Sequence, residues 1–293
     1  MRAPRRGAVA VLAALPLAVG PTAGAVTPAR DQARDQARQE ARQEARQEAR
    51  QQARLDRRLL DARIVESSGL ARSTYPRRTV WTHNDSGDLP RLFAVDRDGR
   101  TRAVVRLRGA TAVDWEDVAA GRGHQIWVGD IGDNGHSRRH VSVYRFVEPR
   151  TLAGRAVDAT RFDLRYPDGR HDAEALMVRP TTGRLFVVTK DSAGGAVYRA
   201  PETLSRTRTN LLRRVAWAPP VVTGASFSPD GRRFVLVDYA DAWFYRHLGG
   251  TSPVRRPKPP LAQGESVAFG RDGDHVLVGS EGERSPVYRM SAP

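Results

Sequence analysis

Short runs of mostly apolar residues alternate with polar turns throughout the chain after residue 60, and the pattern recurs five times. Each repeat has a motif that is usually acidic, then a turn, an apolar run, a polar cluster and a second short strand. The apolar runs are Val80–Thr82, Ile126–Val128, Leu185–Val188, Phe234–Val237 and Val276–Val278. The motif centres, which are 48, 58, 49 and 42 residues apart, are Ser68, Glu116, Glu174, Thr223 and Glu265. A period of this length made of short strands is typical of a β-propeller.

The repeats predict an all-β domain over residues 55–293, a β-propeller with five blades. The fifth blade lacks an outer strand, and residues 58–65 have strand character without a place in any other blade. Because an open ring would leave an exposed sheet edge, we expect this segment to pair with the C-terminal blade and close the ring. Six blades are the alternative, with residues 148–170 forming a degenerate blade. Three Asp-Gly pairs predict hairpin turns, not metal loops: Asp98-Gly99, Asp230-Gly231 and Asp272-Gly273.

Residues 1–25 have the pattern of a secretory signal peptide. A basic start is followed by an apolar run from Gly7 to Gly20 and by a small-residue cleavage site ending at Ala25. The run is too short for a stable membrane anchor. We therefore expect a secreted, extracellular monomer without a transmembrane anchor. Arg5-Arg6 leaves twin-arginine export open beside the general secretory route.

Residues 26–54 form a low-complexity segment of Gln, Glu, Ala and Arg with a four-residue period. These residues favour helix, but the segment has no apolar stripe larger than alanine with which to dock. We predict a fluctuating helical spacer. A tether that associates with the cell envelope is the alternative interpretation.

The formal net charge of +15 does not indicate a specific nucleic-acid partner. Nearly all positive charge is arginine, Lys190 and Lys258 being the only lysines, and the arginines are scattered instead of alternating with aromatic residues. The chain has no cysteine, which excludes disulfides and thiolate metal sites.

Acidic residues at the strand ends are the candidate site. In a propeller the innermost strand of each blade starts at the face where the second strand ends, so both sets of strand-end residues should meet at one mouth of the channel. Oxygen ligands without sulfur favour a hard cation, and we expect Ca²⁺. The predicted metal ligands are Glu66, Glu116, Asp130, Glu174 and Glu265.

The loops 82–88 and 129–135 combine carboxylates, amides and glycines, and tryptophans lie beside them. We expect a small-molecule or carbohydrate ligand here, contacted by Trp81, Asn84, Asp85, Trp115, Asp133 and Asn134. Each residue also has a structural interpretation. Asp and Asn commonly cap turns, a Glu at a strand start can bind the next blade's backbone, and tryptophans pack between blades.

His83 and His171 each flank an acidic cluster and are the candidate general bases. The chain has no Gly-x-Ser-x-Gly elbow, no His-Glu-x-x-His motif and no P-loop. If the protein is an enzyme, these absences favour a metal-activated water or a metal-polarised carbonyl.

The segments Glu66-Ser-Ser-Gly-Leu-Ala with Val80-Trp-Thr-His-Asn-Asp, and Asp114-Trp-Glu-Asp-Val-Ala with Ile126-Trp-Val-Gly-Asp, carry a family resemblance. The chain resembles secreted actinobacterial β-propellers and, more distantly, esterase-like phytase and gluconolactonase/regucalcin propellers. The resemblance implies a central divalent metal and a phytase-like or lactonase-like hydrolase. Thr223 replaces the acid in the fourth repeat, which puts a complete ring of carboxylates in doubt. The alternative function is a non-catalytic cell-envelope module that binds carbohydrate or protein.

Overall fold

A computed structural model describes residues 28–293, so the predicted signal peptide lies outside the described residues. Helix α1 (Pro28–Gln52) begins this part of the chain and is exposed along residues 31–41. Within it, Gln36 Nε2 donates to Glu40 Oε1 at 3.2 Å and Arg38 pairs with Asp35 at 3.7 Å. No helix in the part of the chain that the structure describes is long and apolar enough to cross a membrane.

The β-strands of the chain lie between residues 54 and 291 and belong to five small sheets. The strands of the first half are β1 (Arg54–Arg58), β2 (Ser67–Arg72), β3 (Val80–Asn84), β4 (Arg91–Val95), β5 (Thr101–Arg108), β6 (Trp115–Ala120), β7 (Gln125–Asp130), β8 (Val141–Val147), β9 (Arg155–Asp158), β10 (Thr160–Arg165) and β11 (Ala173–Val178). The strands of the second half are β12 (Leu185–Thr189), β13 (Ala196–Arg199), β14 (Asn210–Leu211), β15 (Arg213–Trp217), β16 (Gly224–Phe227), β17 (Phe234–Val237), β18 (Asp241–Tyr245), β19 (Val254–Pro257), β20 (Val267–Phe269), β21 (His275–Gly279) and β22 (Pro286–Ser291).

The five sheets are the five blades of the predicted propeller, which is confirmed. Listed from the innermost strand outward, the sheets are β2-β3-β4-β5-β9, β6-β7-β8-β10-β14, β11-β12-β13-β15, β16-β17-β18-β19 and β20-β21-β22-β1. Buried side chains of neighbouring blades interdigitate in the layers between them. Trp81 and Leu92 of blade 1, for example, share a core with Val128 and Tyr144 of blade 2.

The ring is closed by an N-terminal strand, as predicted, but that strand lies earlier in the chain. Strand β1 pairs antiparallel with β22, whereas most of the predicted segment 58–65 is irregular. Leu59 and Ile64, whose apolar character suggested a strand, are fully buried in the core shared by blades 1 and 5. The apolar character of these two residues is therefore explained by burial in a loop and not by a strand. The polar strand β1 forms the outer edge of blade 5.

The alternative of a sixth blade is wrong, because residues 148–170 supply outer strands to existing blades. Strand β10 is the fourth strand of blade 2, and β9 adds to blade 1 in parallel with β5. Strand β14 likewise adds to blade 2, in parallel with β10. The three Asp-Gly pairs form turns between consecutive strands, with positive φ angles of 82° at Gly99, 67° at Gly231 and 76° at Gly273.

Candidate functional site

Two of the predicted acidic residues occupy β-bulges at the start of innermost strands. Trp115 pairs with Asp130 and Asp117 pairs with Gly129, so Glu116 is the extra residue of blade 2. The same irregularity surrounds Glu174 in blade 3. A bulge redirects the side chain of its extra residue and ends regular pairing locally. In blade 4 the pairing of β16 with β17 is regular from its first residue, and Thr223 precedes it.

The channel opening at which the innermost strands start is the predicted acidic mouth. Three carboxylates from blades 1 and 2 converge there. Asp85 directly follows β3, Asp114 directly precedes β6, and Glu116 lies within β6. One carboxylate oxygen from each side chain lies within 4.8 Å of the corresponding oxygens of the other two. Glu116 is 3% exposed, and no described residue donates a hydrogen bond to its carboxylate. We call these three residues the carboxylate triad.

Gly132 lies directly against the triad. A Cβ atom at this position would be 2.2 Å from Glu116 Oε1 and 2.4 Å from Asp114 Oδ2. Glycine therefore permits the loop after β7 to approach the carboxylates, which any larger residue would displace.

The triad is electrostatically strained. Burial, followed by the charges of Asp85 and Glu174, raises the pKa of Glu116 to about 11. Burial raises the pKa of Asp85 to about 6, and burial with the charge of Asp172 raises the pKa of Asp114. The charge of Arg138 counters this effect at Asp114. Glu116 therefore keeps its proton at neutral pH in the ion-free protein, and a bound cation would favour the ionised carboxylate.

Three further acidic residues of the mouth, Glu174, Glu265 and Glu281, have partners of their own. Glu174 forms an ion pair with Lys190, yet burial still raises the pKa of Glu174 to about 7. Glu265 accepts a hydrogen bond from Gln263 at 2.9 Å. Burial and a hydrogen bond with Glu265 raise the pKa of Glu281 to about 9.

Both lysines of the chain lie in this acidic region. Lys190 contacts Glu174, and the buried Lys258 donates from Nζ to the Gly264 carbonyl at 2.6 Å. Burial lowers the pKa of Lys258 to about 8, against the opposing charges of Asp238 and Glu265. The sequence analysis did not assign either lysine to the site, although their isolation among arginines was a usable signal.

Several predicted ligands instead stabilise the loops that carry the triad. Asp130 accepts hydrogen bonds from the Asp114 N–H at 3.1 Å and from Arg138 Nη2 at 2.8 Å. Asp133 accepts from the backbone N–H groups of Ser137 and Arg138. These contacts match the turn-capping interpretation.

Asn84 is also fully engaged in loop structure. Its Oδ1 accepts from the backbone N–H groups of Val65 and Glu66, and its Nδ2 donates to the Arg63 carbonyl and to Asp88. No amide atom is left for a ligand. The predicted ligand residues Glu66 and Asn134 are exposed at the surface.

The two predicted stacking tryptophans are buried in the core. Trp81 is fully buried and packs edge-on against Phe146. Trp115 is 1% exposed and donates from Nε1 to the Thr111 carbonyl at 2.9 Å. Neither ring presents a face to a ligand, so this placement does not support the ligand-contacting role predicted for them.

Neither candidate general base belongs to the triad. His83 is fully buried, with Nδ1 2.7 Å from the Asn84 carbonyl, and burial lowers the pKa of His83 to about 4. His171 lies 3.0 Å from Asp168 and 3.3 Å from the Tyr198 hydroxyl. These positions do not support the proton-transfer roles predicted for the two histidines.

Asp117, which the sequence analysis did not single out, holds the innermost strands together. Its carboxylate accepts hydrogen bonds from the backbone N–H groups of Val118 at 2.8 Å, Leu176 at 2.9 Å and Ala225 at 3.4 Å. These donors lie in blades 2, 3 and 4. Burial raises the pKa of Asp117 well above its ordinary value.

No protein-family model matches this chain, and no curated protein matches it. Among solved structures, the chain is similar to a chain of the hydrazine synthase of Kuenenia stuttgartiensis, with a TM-score of 0.43 and 15% sequence identity. The similarity covers 74% of this chain and 56% of that chain, so the chain spans little more than half of its length. At this level of similarity nothing about activity follows.

Proposed function

We propose that the chain is an exported protein that binds Ca²⁺ at the acidic mouth of its channel and hydrolyses an ester or lactone there. The carboxylate triad carries the proposal, because one oxygen from each residue lies within 4.8 Å of the others and the buried Glu116 carboxylate has no donor among the described residues.

The triad fits the ion that the family resemblance implies. Asp85, Asp114 and Glu116 offer only oxygen ligands, which suit a hard cation such as Ca²⁺. Their raised pKa values reflect burial and mutual repulsion, which positive charge would offset. A bound Ca²⁺ would orient and polarise an oxygen-bearing substrate.

Glu174 is the best-supported proton-transfer residue of the proposed hydrolase. A carboxyl with a pKa of about 7 can hold a proton or release it near neutral pH, as acid–base catalysis requires. Its contact with Lys190 fixes the orientation of the side chain. The substrate class, a phosphate ester or a lactone, comes from the family resemblance.

A non-catalytic cell-envelope module that binds carbohydrate or protein is the second candidate. The positions of His83 and His171 favour it, because neither ring contacts a triad carboxylate. The two candidates share the cation site and differ in whether bound substrate is converted.

Calcium titration followed by thermal unfolding and calorimetry tests the cation site. We expect Ca²⁺ to raise the Tm of the wild type, and Glu116→Gln to abolish both the shift and the heat of binding. Glu202→Gln, at a side chain 86% exposed, is the matched control and should behave like the wild type. A full Ca²⁺ response in Glu116→Gln would contradict the site.

Turnover assays then distinguish the two functions. Hydrolysis of phosphomonoesters or lactones that EGTA abolishes and Ca²⁺ restores supports the hydrolase. Calcium binding without turnover on either class, together with retention of carbohydrate or envelope protein on the immobilised chain, supports the binding module.

A further inference from the structure

The innermost strands of all five blades end at a second opening of the channel, away from the acidic mouth. Residues at these strand ends line a cavity of about 280 Å³. Most of its lining residues are apolar, among them Met177, Phe227 and Phe269, and polar groups also face the cavity. Two arginines, Arg72 and Arg271, also line it.

Arg72 is a partly buried cation without a partner. Its Nε is inaccessible to solvent and unbonded, and none of its side-chain nitrogens forms a hydrogen bond or ion pair with a described residue. Burial and then the charge of Arg271 lower the pKa of Arg72. Arg271 uses one nitrogen to contact the carbonyls of Ser73 and Tyr75. A partly desolvated guanidinium whose buried Nε has no acceptor is unfavourable, and an anion bound to it would offset this cost.

No described carboxylate around this opening pairs directly with Arg72: the charges of Asp272 and Asp56 oppose the lowering of its pKa, but their side chains contact other groups. The contacts are Asp56 with Arg57 at 2.7 Å, Asp272 with His275 at 2.7 Å and with Arg289 at 3.4 Å, and Glu148 with Ser73 and Thr74.

Arg72 also borders a polar cleft of about 150 Å³ between blades 1 and 5. Arginines outnumber carboxylates in the lining of this cleft. Asp56 is accompanied there by Arg57, Arg78, Arg97 and Arg289, so the cleft adds further positive charge. The second opening therefore combines an apolar cavity with an excess of guanidinium groups at one side.

We propose that this opening is a binding site for a small amphipathic organic anion, a carboxylate or sulfonate with a compact apolar body. The body occupies the cavity, and the anionic group binds Arg72 and Arg271. The volume lies near the lower end of the roughly 300–1,000 Å³ typical of small-molecule sites, which suits a ligand of about one or two rings. The site is separate from the triad and does not depend on the proposed hydrolase.

Calorimetry with naphthalene-2-sulfonate tests the proposal. Inorganic sulfate supplies the charge alone, and 2-naphthalenemethanol supplies the apolar body alone. We expect the sulfonate to bind at least about tenfold more tightly than either, because only it uses both halves of the site. Equal binding of the neutral analogue would overturn the role of the arginines, and equal binding of sulfate would overturn the role of the cavity.

Variants of the two arginines locate the binding. Arg72→Gln should weaken sulfonate binding by about tenfold or more, and Arg72→Lys should restore part of it. Arg271→Gln, at an exposed side chain, should weaken sulfonate binding severalfold. It still tests the role of the arginines if Arg72→Gln does not fold. The exposed Arg139→Gln is the charge-matched control, and Glu116→Gln should bind the sulfonate like the wild type. Unchanged affinity in both Arg72→Gln and Arg271→Gln would overturn the proposal.

Discussion

The carboxylate of Asp117 accepts a 2.9 Å hydrogen bond from the backbone N–H of Leu176, so a side chain of blade 2 is bonded to the innermost strand of blade 3. The same oxygen accepts from the Ala225 N–H of blade 4 at 3.4 Å. One buried side chain thus satisfies backbone donors that face the channel in three blades. Buried N–H groups left without acceptors are costly, which explains how a carboxyl side chain can be buried there.

Asp117→Ala should lower the free energy of unfolding by roughly 2 kcal/mol, because it leaves three buried N–H groups without an acceptor. Asp117→Asn should lose less, since its amide keeps one acceptor oxygen. Urea unfolding of both variants checks this order. The control is Asp98→Ala in the exposed β4–β5 turn, which should change stability by less than about 0.5 kcal/mol. Equal stability of Asp117→Ala and wild type would show that water replaces the carboxylate.

The blade count and the acidic mouth were predictable because both follow from the period of the sequence. The bulges at Glu116 and Glu174 coincide with the repeated motif Asp-x-Glu. The motif therefore marks the residues that are left unpaired between the first and second strands of their blades. The parallel additions of β9 and β14 were not predictable, since they depend on which sheet edge remains free after the blades assemble.

Individual roles were harder to predict than the location of the site. Asn84 and Asp133 carry the residue types of ligands, but backbone groups brought close by the loops use their side chains first. Arg72 gave no sequence signal, because its lack of a partner is a property of the assembled ring.

Gly132→Ala should abolish Ca²⁺ binding without changing any proposed ligand. The added Cβ would lie 2.2 Å from Glu116 Oε1 and 2.4 Å from Asp114 Oδ2 and would push the two carboxylates apart. Gly135→Ala is the matched control in the same loop, because a Cβ there has no neighbour within 4 Å. Calorimetric titration with Ca²⁺ checks both variants. Wild-type affinity in Gly132→Ala would contradict the triad as the cation site.

Glu116→Gln should stabilise the Ca²⁺-free protein at pH 8 while removing its response to Ca²⁺. The pKa of Glu116 in the folded chain, about 11, lies above its ordinary value of 4.5. Between these two pH values the folded state therefore binds more protons than the unfolded state. The free energy of unfolding therefore falls as pH rises from about 4.5, and an amide, which does not ionise, removes this loss. We expect a gain of at least about 1 kcal/mol at pH 8, measured by urea unfolding with EGTA. The gain should shrink towards pH 5, and an equal gain at both values would exclude ionisation as its cause.

We expect His83 to determine how the free energy of unfolding falls at acid pH, and to have no role in turnover. Its pKa in the folded chain, about 4, is below its ordinary value, so between pH 6.5 and 4 the unfolded state takes up the proton first. The contribution of His83 to the free energy of unfolding is fully present above pH 6.5. It is lost as the pH falls towards 4, by up to about 3 kcal/mol. His83→Leu should flatten this limb in urea unfolding measured between pH 4 and 7. His171→Leu, at a partly exposed ring, is the control and should keep the wild-type slope.

Strand β1 should be essential to the ring, because it supplies the outer strand of blade 5. A chain that begins at Leu59 loses the pairing of Arg54–Arg58 with β22 and exposes the edge of that strand. It also loses Arg57, a buried side chain whose Nη1 donates to the Val95 and Asp96 carbonyls, each at 2.9 Å. We expect a Tm at least about 5 °C lower than that of a chain beginning at Arg54, together with concentration-dependent association through the open edge. Thermal unfolding and light scattering of the two truncated chains check this, and matching Tm values would show that the ring closes without β1.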